Sequence, residues 1–479
     1  MDATIVATML LDITNDLGGF QKSQWVILSY TLLDGVETGL AVFLARLSDI
    51  VGRQLVICTS LFIFLAGSMA CGASTTMNQL IGFRALQGSG AAGLYATSLV
   101  VYLEMAPPRL ILLMFAVLGS IVALAGVIGP IVGGLLATRV GWRYAFWING
   151  PCCASALVLL LLFWREDMAH KKARAQLGIR NLDVPGAILI IAAVTLPIFA
   201  ISQASIGVYA WSSPTTISIL CLSAGMCVCL AVWQQQMPRR PCFSGILSQL
   251  PWEILTNRVL LAALIDTVLA SHVFAVAVFH IPIRAQVIGL YDALQSALLL
   301  LPLLGSSAVG AACSGLVSYR KNLTFWALCL ACVLMMISSV LLSRLSETKP
   351  SFAAQRGYEV ILGFAVAQGV VAQMRISGAS IGVAISFILL HTRLTSELRD
   401  LLTPEQLRDL YRSPLSTSSF TLPQLIIAQH AYVTAFSDIM RVSIGVSGAC
   451  LLVSLFVWQK RPVQIQEKLQ AMEHYLGAR

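Results

Sequence analysis

The chain has 479 residues, 57% of them hydrophobic and only 11% charged, with a mean hydropathy of +0.82. Soluble globular proteins carry roughly 25% charged residues, so a string of water-soluble domains is excluded, and so is a disordered chain. The formal net charge of +9 comes from basic residues in short loops between apolar runs, a pattern that sets membrane orientation rather than nucleic-acid binding.

A membrane-crossing helix needs about 20 apolar residues. Candidates fall at 2–18, 25–45, 55–74, 79–104, 111–138, 143–164, 184–205, 214–233, 258–282, 292–317, 323–343, 357–373, 376–392 and 435–458. These runs are long and unbroken, unlike the alternating segments of an outer-membrane barrel. The expected fold is therefore an all-α polytopic membrane protein with fourteen spans. The first run opens at Met1, with no hydrophilic tail and no cleavable signal peptide expected ahead of it. The longest polar segments, 165–183, 234–257 and 393–434, are too short for an enzyme domain of about 100 residues. Arg393–Arg412 reads as a surface helix and Val463–Leu476 as an amphipathic tail. A cytoplasmic N-terminus puts the cluster Arg165, Lys171, Lys172, Arg174 and Arg180 inside, together with Lys460 and Arg461. Of the 12 cysteines, all but Cys242 lie in apolar segments, where a free thiol behaves as a small hydrophobe. No metal and no cofactor is expected.

Four motifs follow in chain order. The loop after the second run reads Asp49-Ile50-Val51-Gly52-Arg53. There Gly52 allows a tight reversal, and Asp49 and Arg53 can pair with helix ends or opposite charges. Such contacts would latch one conformation and release another. The fourth run carries Arg84, Gln87, Gly88 and Gly90. An arginine inside a span normally faces a protein interior with a partner, and the glycines permit close helix packing. The fifth run ends in Gly129-Pro130-Ile131-Val132-Gly133-Gly134, a proline kink beside small residues. Trp142–Trp147 then forms an aromatic interfacial anchor.

Taken together, these motifs resemble the major facilitator superfamily, and within it the fourteen-span drug:proton antiporter branch, closest to fungal toxin and multidrug efflux pumps. Asp2–Val6 resembles the first-helix motif of that branch, although Leu11 stands where its proline would. Ala125 occupies a position that is glycine in the family's fifth-helix motif. The resemblance implies two six-helix bundles plus two extra central helices. It divides the chain into an N-terminal bundle at 1–164, two extra spans at 184–233, a C-terminal bundle at 258–458 and a cytoplasmic tail at 459–479. The loop Gly315–Lys321 occupies the repeat-related place of the Asp49 loop, keeping the bases and lacking the acid. Arg84 and Gln87 would take part in proton coupling. Asp49, Gly52 and Arg53 would form the latch, and Gly129, Pro130, Gly133 and Gly134 the antiporter motif.

Three acids inside spans, Asp34, Glu37 and Asp266, are proton or cation sites by default. His272 and His280 read as packing residues. No lysine lies in a phosphate-loop context, so the expected activity is secondary transport and not an enzyme reaction. Proton influx would drive efflux of a small hydrophobic organic compound. The alternatives are an uptake carrier of the same fold, for an iron chelate or an amine, and a decayed non-transporting carrier or sensor. The expected partners are the lipid bilayer, a small-molecule substrate and protons; the expected state is a monomer in the plasma membrane, or alternatively a vacuolar or vesicle membrane. Residues 357–392 are compressed where the family has a longer stretch. Two short or partly re-entrant helices are expected there, turning near Arg375, with the C-terminus cytoplasmic.

Overall fold

The computed structural model describes residues 2–18, 43–105, 111–164, 182–205, 212–239, 252–320, 324–345, 352–366, 372–399 and 421–459, with isolated positions between them. The described residues are helical almost throughout. In order, the helices are α1 (Asp2–Leu17), α2 (Arg53–Gly72), α3 (Met77–Met105), α4 (Ile111–Arg139), α5 (Arg143–Trp147), α6 (Asn149–Phe163), α7 (Val184–Ser205) and α8 (Pro214–Gln236). They continue as α9 (Trp252–Thr256), α10 (Arg258–Ile288), α11 (Ala293–Leu298), α12 (Leu301–Arg320), α13 (Thr324–Ser343), α14 (Phe352–Val366), α15 (Ala372–Leu398) and α16 (Leu422–Ser454). Residues 43–51 are also helical; most of the expected span at 25–45 lies outside the described residues.

Among the described residues, eight helices are long and apolar enough to cross a membrane. Their outer faces carry large apolar side chains in the open, such as Leu162, 72% exposed, Phe163, 78%, and Val228, 64%. Water would penalise such a surface; lipid accepts it.

Packing follows a repeated scheme. In the first half α1 lies on α4, and α2 on α6. In the second half α10 lies on α15, α12 on α14, and α13 on α16. The two halves meet where α4 packs on α11 and α12, and α1 on α10. The extra pair α7 and α8 lie against each other, and α7 also touches α15. Buried Asp183 ties that pair: its carboxylate accepts from the Gly186 amide at 2.8 Å and from Trp233 Nε1 at 2.9 Å.

Small residues set the helix spacing. A Cβ on Gly67 would meet the Gln87 backbone nitrogen at 2.6 Å, and one on Gly382 would meet the His272 carbonyl oxygen at 2.8 Å. The pairs α2/α3 and α10/α15 thus approach to backbone contact, as small residues permit in membranes.

Several boundaries differ from expectation. The run 143–164 is broken at Ile148, two positions ahead of the Gly150-Pro151 pair. The run 292–317 is divided between Leu298 and Leu301, with Pro302 in the first turn of α12, where a missing N–H costs nothing. α16 begins at Leu422, thirteen residues earlier than the expected 435, because Thr421 and Gln424 form a capping box around Pro423 in the first turn. Among the described residues the compressed region holds two helices, of which α14 is the shorter. Its 15 residues rise about 22 Å, against a hydrocarbon core of about 30 Å. α15 runs for 27 residues, so the expected pair of short helices is corrected. Arg375, where the turn was expected, lies instead in the first turn of α15, and residues 367–371 lie outside the described residues. The same helix absorbs the start of the expected surface helix, since Arg393 pairs with Asp438 of α16 at 2.6 Å and holds that end in place.

Candidate functional site

At one end of the first bundle, the Asp49 loop is built around Gly52. Its φ of +120° is a conformation that side-chain-bearing residues rarely adopt. This residue lets the helix at 43–51 turn directly into α2. Arg53, the first residue of α2, then folds back over the turn. It pairs with Asp49 and Ser48, and its Nη1 donates to the Ala45 carbonyl at 3.0 Å. Arg46 lies 3.9 Å from Asp49. The same guanidinium reaches Glu104 near the end of α3, with Nη2 at 2.6 Å and Nε at 3.2 Å from the two carboxylate oxygens. Glu104 was not singled out by sequence, because nothing local marks an acid 51 positions away as the partner.

Arg84 is buried in α3, 1% exposed. Its Nη1 donates to Gln87 Oε1 at 2.7 Å, one helical turn on, and its Nε donates to the Val26 carbonyl at 3.3 Å. The guanidinium stacks 4.1 Å from the Tyr30 ring centroid and 5.5 Å from that of Phe146, adding cation–π attraction. Gln87 Nε2 donates in turn to Ser68 Oγ at 2.6 Å, and Asn149 donates to the same hydroxyl at 3.0 Å. The arginine and glutamine expected to act together are thus hydrogen-bonded at the centre of a network joining α2, α3 and α6. Asp34 and Glu37 lie outside the described residues.

Gly129, Pro130, Gly133 and Gly134 are all buried in α4, with Pro130 inside the helix. A Cβ on Gly133 would meet Thr8 Oγ1 at 2.7 Å and the Ile5 carbonyl at 2.9 Å. The motif is therefore the surface on which α1 lies. From the second half, Gln286 of α10 donates to the Thr8 carbonyl at 3.3 Å, so Thr8 marks the place where α1, α4 and α10 converge. At the other end of α1, Asp16 accepts from Trp142 Nε1 at 3.0 Å and pairs with Arg143 at 2.6 Å, which anchors the aromatic motif.

Asp266 is buried in α10, and its carboxylate meets two thiols, Cys450 Sγ at 2.9 Å and Cys332 Sγ at 3.8 Å. It lies twenty positions before Gln286, about 200° around a helix of 3.6 residues per turn, and so faces away from α1.

A second charged group was missed. Arg284 of α10 donates to Gln355 Oε1 at 2.7 Å, and Gln355 Nε2 donates to Glu359 Oε1 at 2.8 Å. All three are buried, and the guanidinium lies 5.2 Å from the Phe436 ring centroid. Glu359 falls inside the expected 357–373 run and could have been flagged as an intramembrane acid. Arg284 lies two residues beyond the expected end of its span and could not.

The described residues thus form a multi-pass helical architecture in which a glycine-lined helix containing Pro130 lies where two similarly packed halves meet. The sequence model of the Major Facilitator Superfamily matches residues 1–396. The chain is 30% identical to an MFS-type transporter of Fusarium mangiferae over 96% of this chain and 81% of that one. It is 29% identical to Multidrug resistance protein 3 of Bacillus subtilis over 74% of this chain and 64% of that one. It is 27% identical to an MFS-type efflux pump of a Fusarium species over 86% and 74%. Among solved structures it resembles a bacterial homologue of the human lysosomal transporter Spinster in an inward-facing conformation, with a TM-score of 0.60 and 13% identity over 96% of this chain and 95% of that one. The chain belongs to the major facilitator superfamily. It is an integral, multi-pass membrane transporter of small molecules.

Proposed function

We propose that this transporter exports a small hydrophobic organic compound, of the secondary-metabolite, toxin or drug class, in exchange for protons. The observation that carries the coupling is the buried Arg84 hub, a fixed cation clasped by Gln87 and stacked on Tyr30. In the helix expected over 25–45, Asp34 and Glu37 follow Tyr30 by four and seven positions, a spacing that puts all three on one face. A carboxylate brought to Arg84 holds its proton less tightly, so movement of that face toward and away from Arg84 would release and take up a proton. Several relatives named as exporters, including an efflux pump of Gibberella fujikuroi and a dehydrocurvularin exporter of Aspergillus terreus, support the outward direction. Residues 1–164 and 258–458 are the two rocking units of this reading, with 184–233 between them, the tail at 459–479 in the cytoplasm, and a monomer in the plasma membrane as the working form.

The test is uptake of a lipophilic fluorescent dye, rhodamine 6G, into everted membrane vesicles from cells expressing the chain. An acid-inside gradient is expected to drive accumulation that a protonophore abolishes. Accumulation indifferent to the gradient would overturn proton coupling, and dye movement only in the opposite direction would overturn export.

A further inference from the structure

Asp266, Cys332 and Cys450 come from three helices, α10, α13 and α16, and converge at one buried point. Their ligand atoms all lie within 4.8 Å of one another. We propose that they form an intramembrane binding site for one thiophilic divalent cation of the zinc class, separate from the transport pathway.

The geometry suits such an ion. Zinc–sulfur bonds of about 2.3 Å and zinc–oxygen bonds of about 2.0–2.2 Å, at tetrahedral angles, put ligand atoms about 3.5–3.8 Å apart. The observed carboxylate–sulfur separations are 2.9 Å and 3.8 Å, and no two ligand atoms lie more than 4.8 Å apart, so closure about an ion needs shifts of about an ångström or less. The donor set is soft on two sides and hard on one, a mixture that selects zinc or cadmium over magnesium or calcium.

Charge balance selects the valence. Without an ion, the site holds one carboxylate and two neutral thiols that donate to it, for a net charge of −1. A divalent ion bonded to both sulfurs displaces their two protons: two S–H bonds break, two S–metal bonds form, and the protons leave to solvent. The loaded site then carries three negative ligands and a charge of +2, again −1. A monovalent ion bound through the same two thiolates would leave −2, and uncompensated charge at this depth is expensive.

A second pair of polar groups supplies a way in. Cys329 Sγ lies 3.5 Å from Ser454 Oγ. Cys329 is three residues before Cys332 on α13, and Ser454 is four after Cys450 on α16, so the pair sits one turn nearer the end where α10 and α13 begin and α16 stops. Cys329 is half-buried whereas Cys332 and Cys450 are buried, which makes a graded path from surface to site.

The test is zinc loading of the purified full-length protein in detergent. After dialysis against zinc, the metal content of the wild type is expected to exceed that of Cys450→Ser by one ion per chain, with two protons released for that ion in weak buffer. Cadmium in place of zinc should give sulfur-to-metal charge-transfer absorption that Cys332→Ser removes. Asp266→Asn should weaken binding at least tenfold, and Cys329→Ser should slow loading while leaving the stoichiometry unchanged. Should Cys450→Ser fail to fold, Cys450→Ala and Cys332→Ser carry the same comparison. Equal metal content in the wild type and every folded variant, or no zinc in the wild type, would overturn the proposal.

Discussion

Arg53, at the start of α2, grips Glu104 near the end of α3 with two hydrogen bonds, 2.6 Å and 3.2 Å long, while the same guanidinium closes on Asp49 four residues behind it. One cation thus joins the turn between two spans to the end of a third. Both acids are partly exposed, where each pair contributes at most about 1 kcal/mol. That size would suit the latch expected from the sequence, a contact made in one conformation and released in another.

The latch is therefore expected to bias conformations rather than bind substrate. Asp49→Asn and Glu104→Gln should each lower the transport rate more than they weaken substrate binding. A double-mutant cycle with Arg53→Gln should show a coupling of about 1 kcal/mol. Initial rates against substrate concentration in vesicles check this. Weakened binding at unchanged turnover would place these residues on the substrate.

Arg84→Ala is expected to abolish proton-driven export while the protein still inserts. Arg84→Lys keeps the charge but loses the planar fork that reaches Gln87 and Val26 and stacks on Tyr30. It should retain only a small fraction of activity. Membrane abundance by immunoblot and dye efflux under an imposed gradient separate the two effects, and normal export by Arg84→Ala would remove it from coupling.

Helix spacing around Arg84 depends on glycine. A Cβ on Gly90 would strike the backbone of Phe64, the Cα at 2.7 Å, whereas one on Gly225 meets nothing within 4 Å. Gly90→Ala should therefore destabilise by about 1–3 kcal/mol and Gly225→Ala should not. Thermal unfolding in detergent, followed by a size-exclusion assay, reads the difference.

Gln355 bridges Arg284 and Glu359. Gln355→Leu removes a hydrogen-bond partner from each of two buried ionisable side chains, at a cost of about 1–3 kcal/mol per group. Its melting temperature should fall well below that of Gln424→Leu, whose hydrogen bonds lie at an exposed helix start. Equal melting temperatures would mean the bridge contributes little.

The fourteen expected spans are an even number, which returns the chain to the side on which it began. A single cysteine placed after Arg461 in a cysteine-free chain is expected to react with an impermeant maleimide only after the cells are permeabilised. Labelling of intact cells would put the tail outside and contradict the cytoplasmic placement of Lys460 and Arg461.

What the amino-acid order determined by itself is whatever a few consecutive residues can specify. Apolar runs of membrane length dictate helices, since backbone groups in lipid must bond within their own segment. The Asp49–Gly52–Arg53 turn and the Arg84–Gln87 pair were legible for the same reason, all their parts lying within one or two turns of chain. Tertiary structure decided the rest. Glu104 lies 51 residues from Arg53, Gln355 lies 71 from Arg284, and Cys450 lies 184 from Asp266. Composition marks each as one more apolar-run residue or one more surface charge. The extent of α15 was also hidden, because the Arg393–Asp438 pair that holds its polar end forms only once α16 is packed beside it. Hydrophobic period reports burial along one helix; which buried polar groups share a point depends on how the helices stack, and only the folded chain brings those groups together.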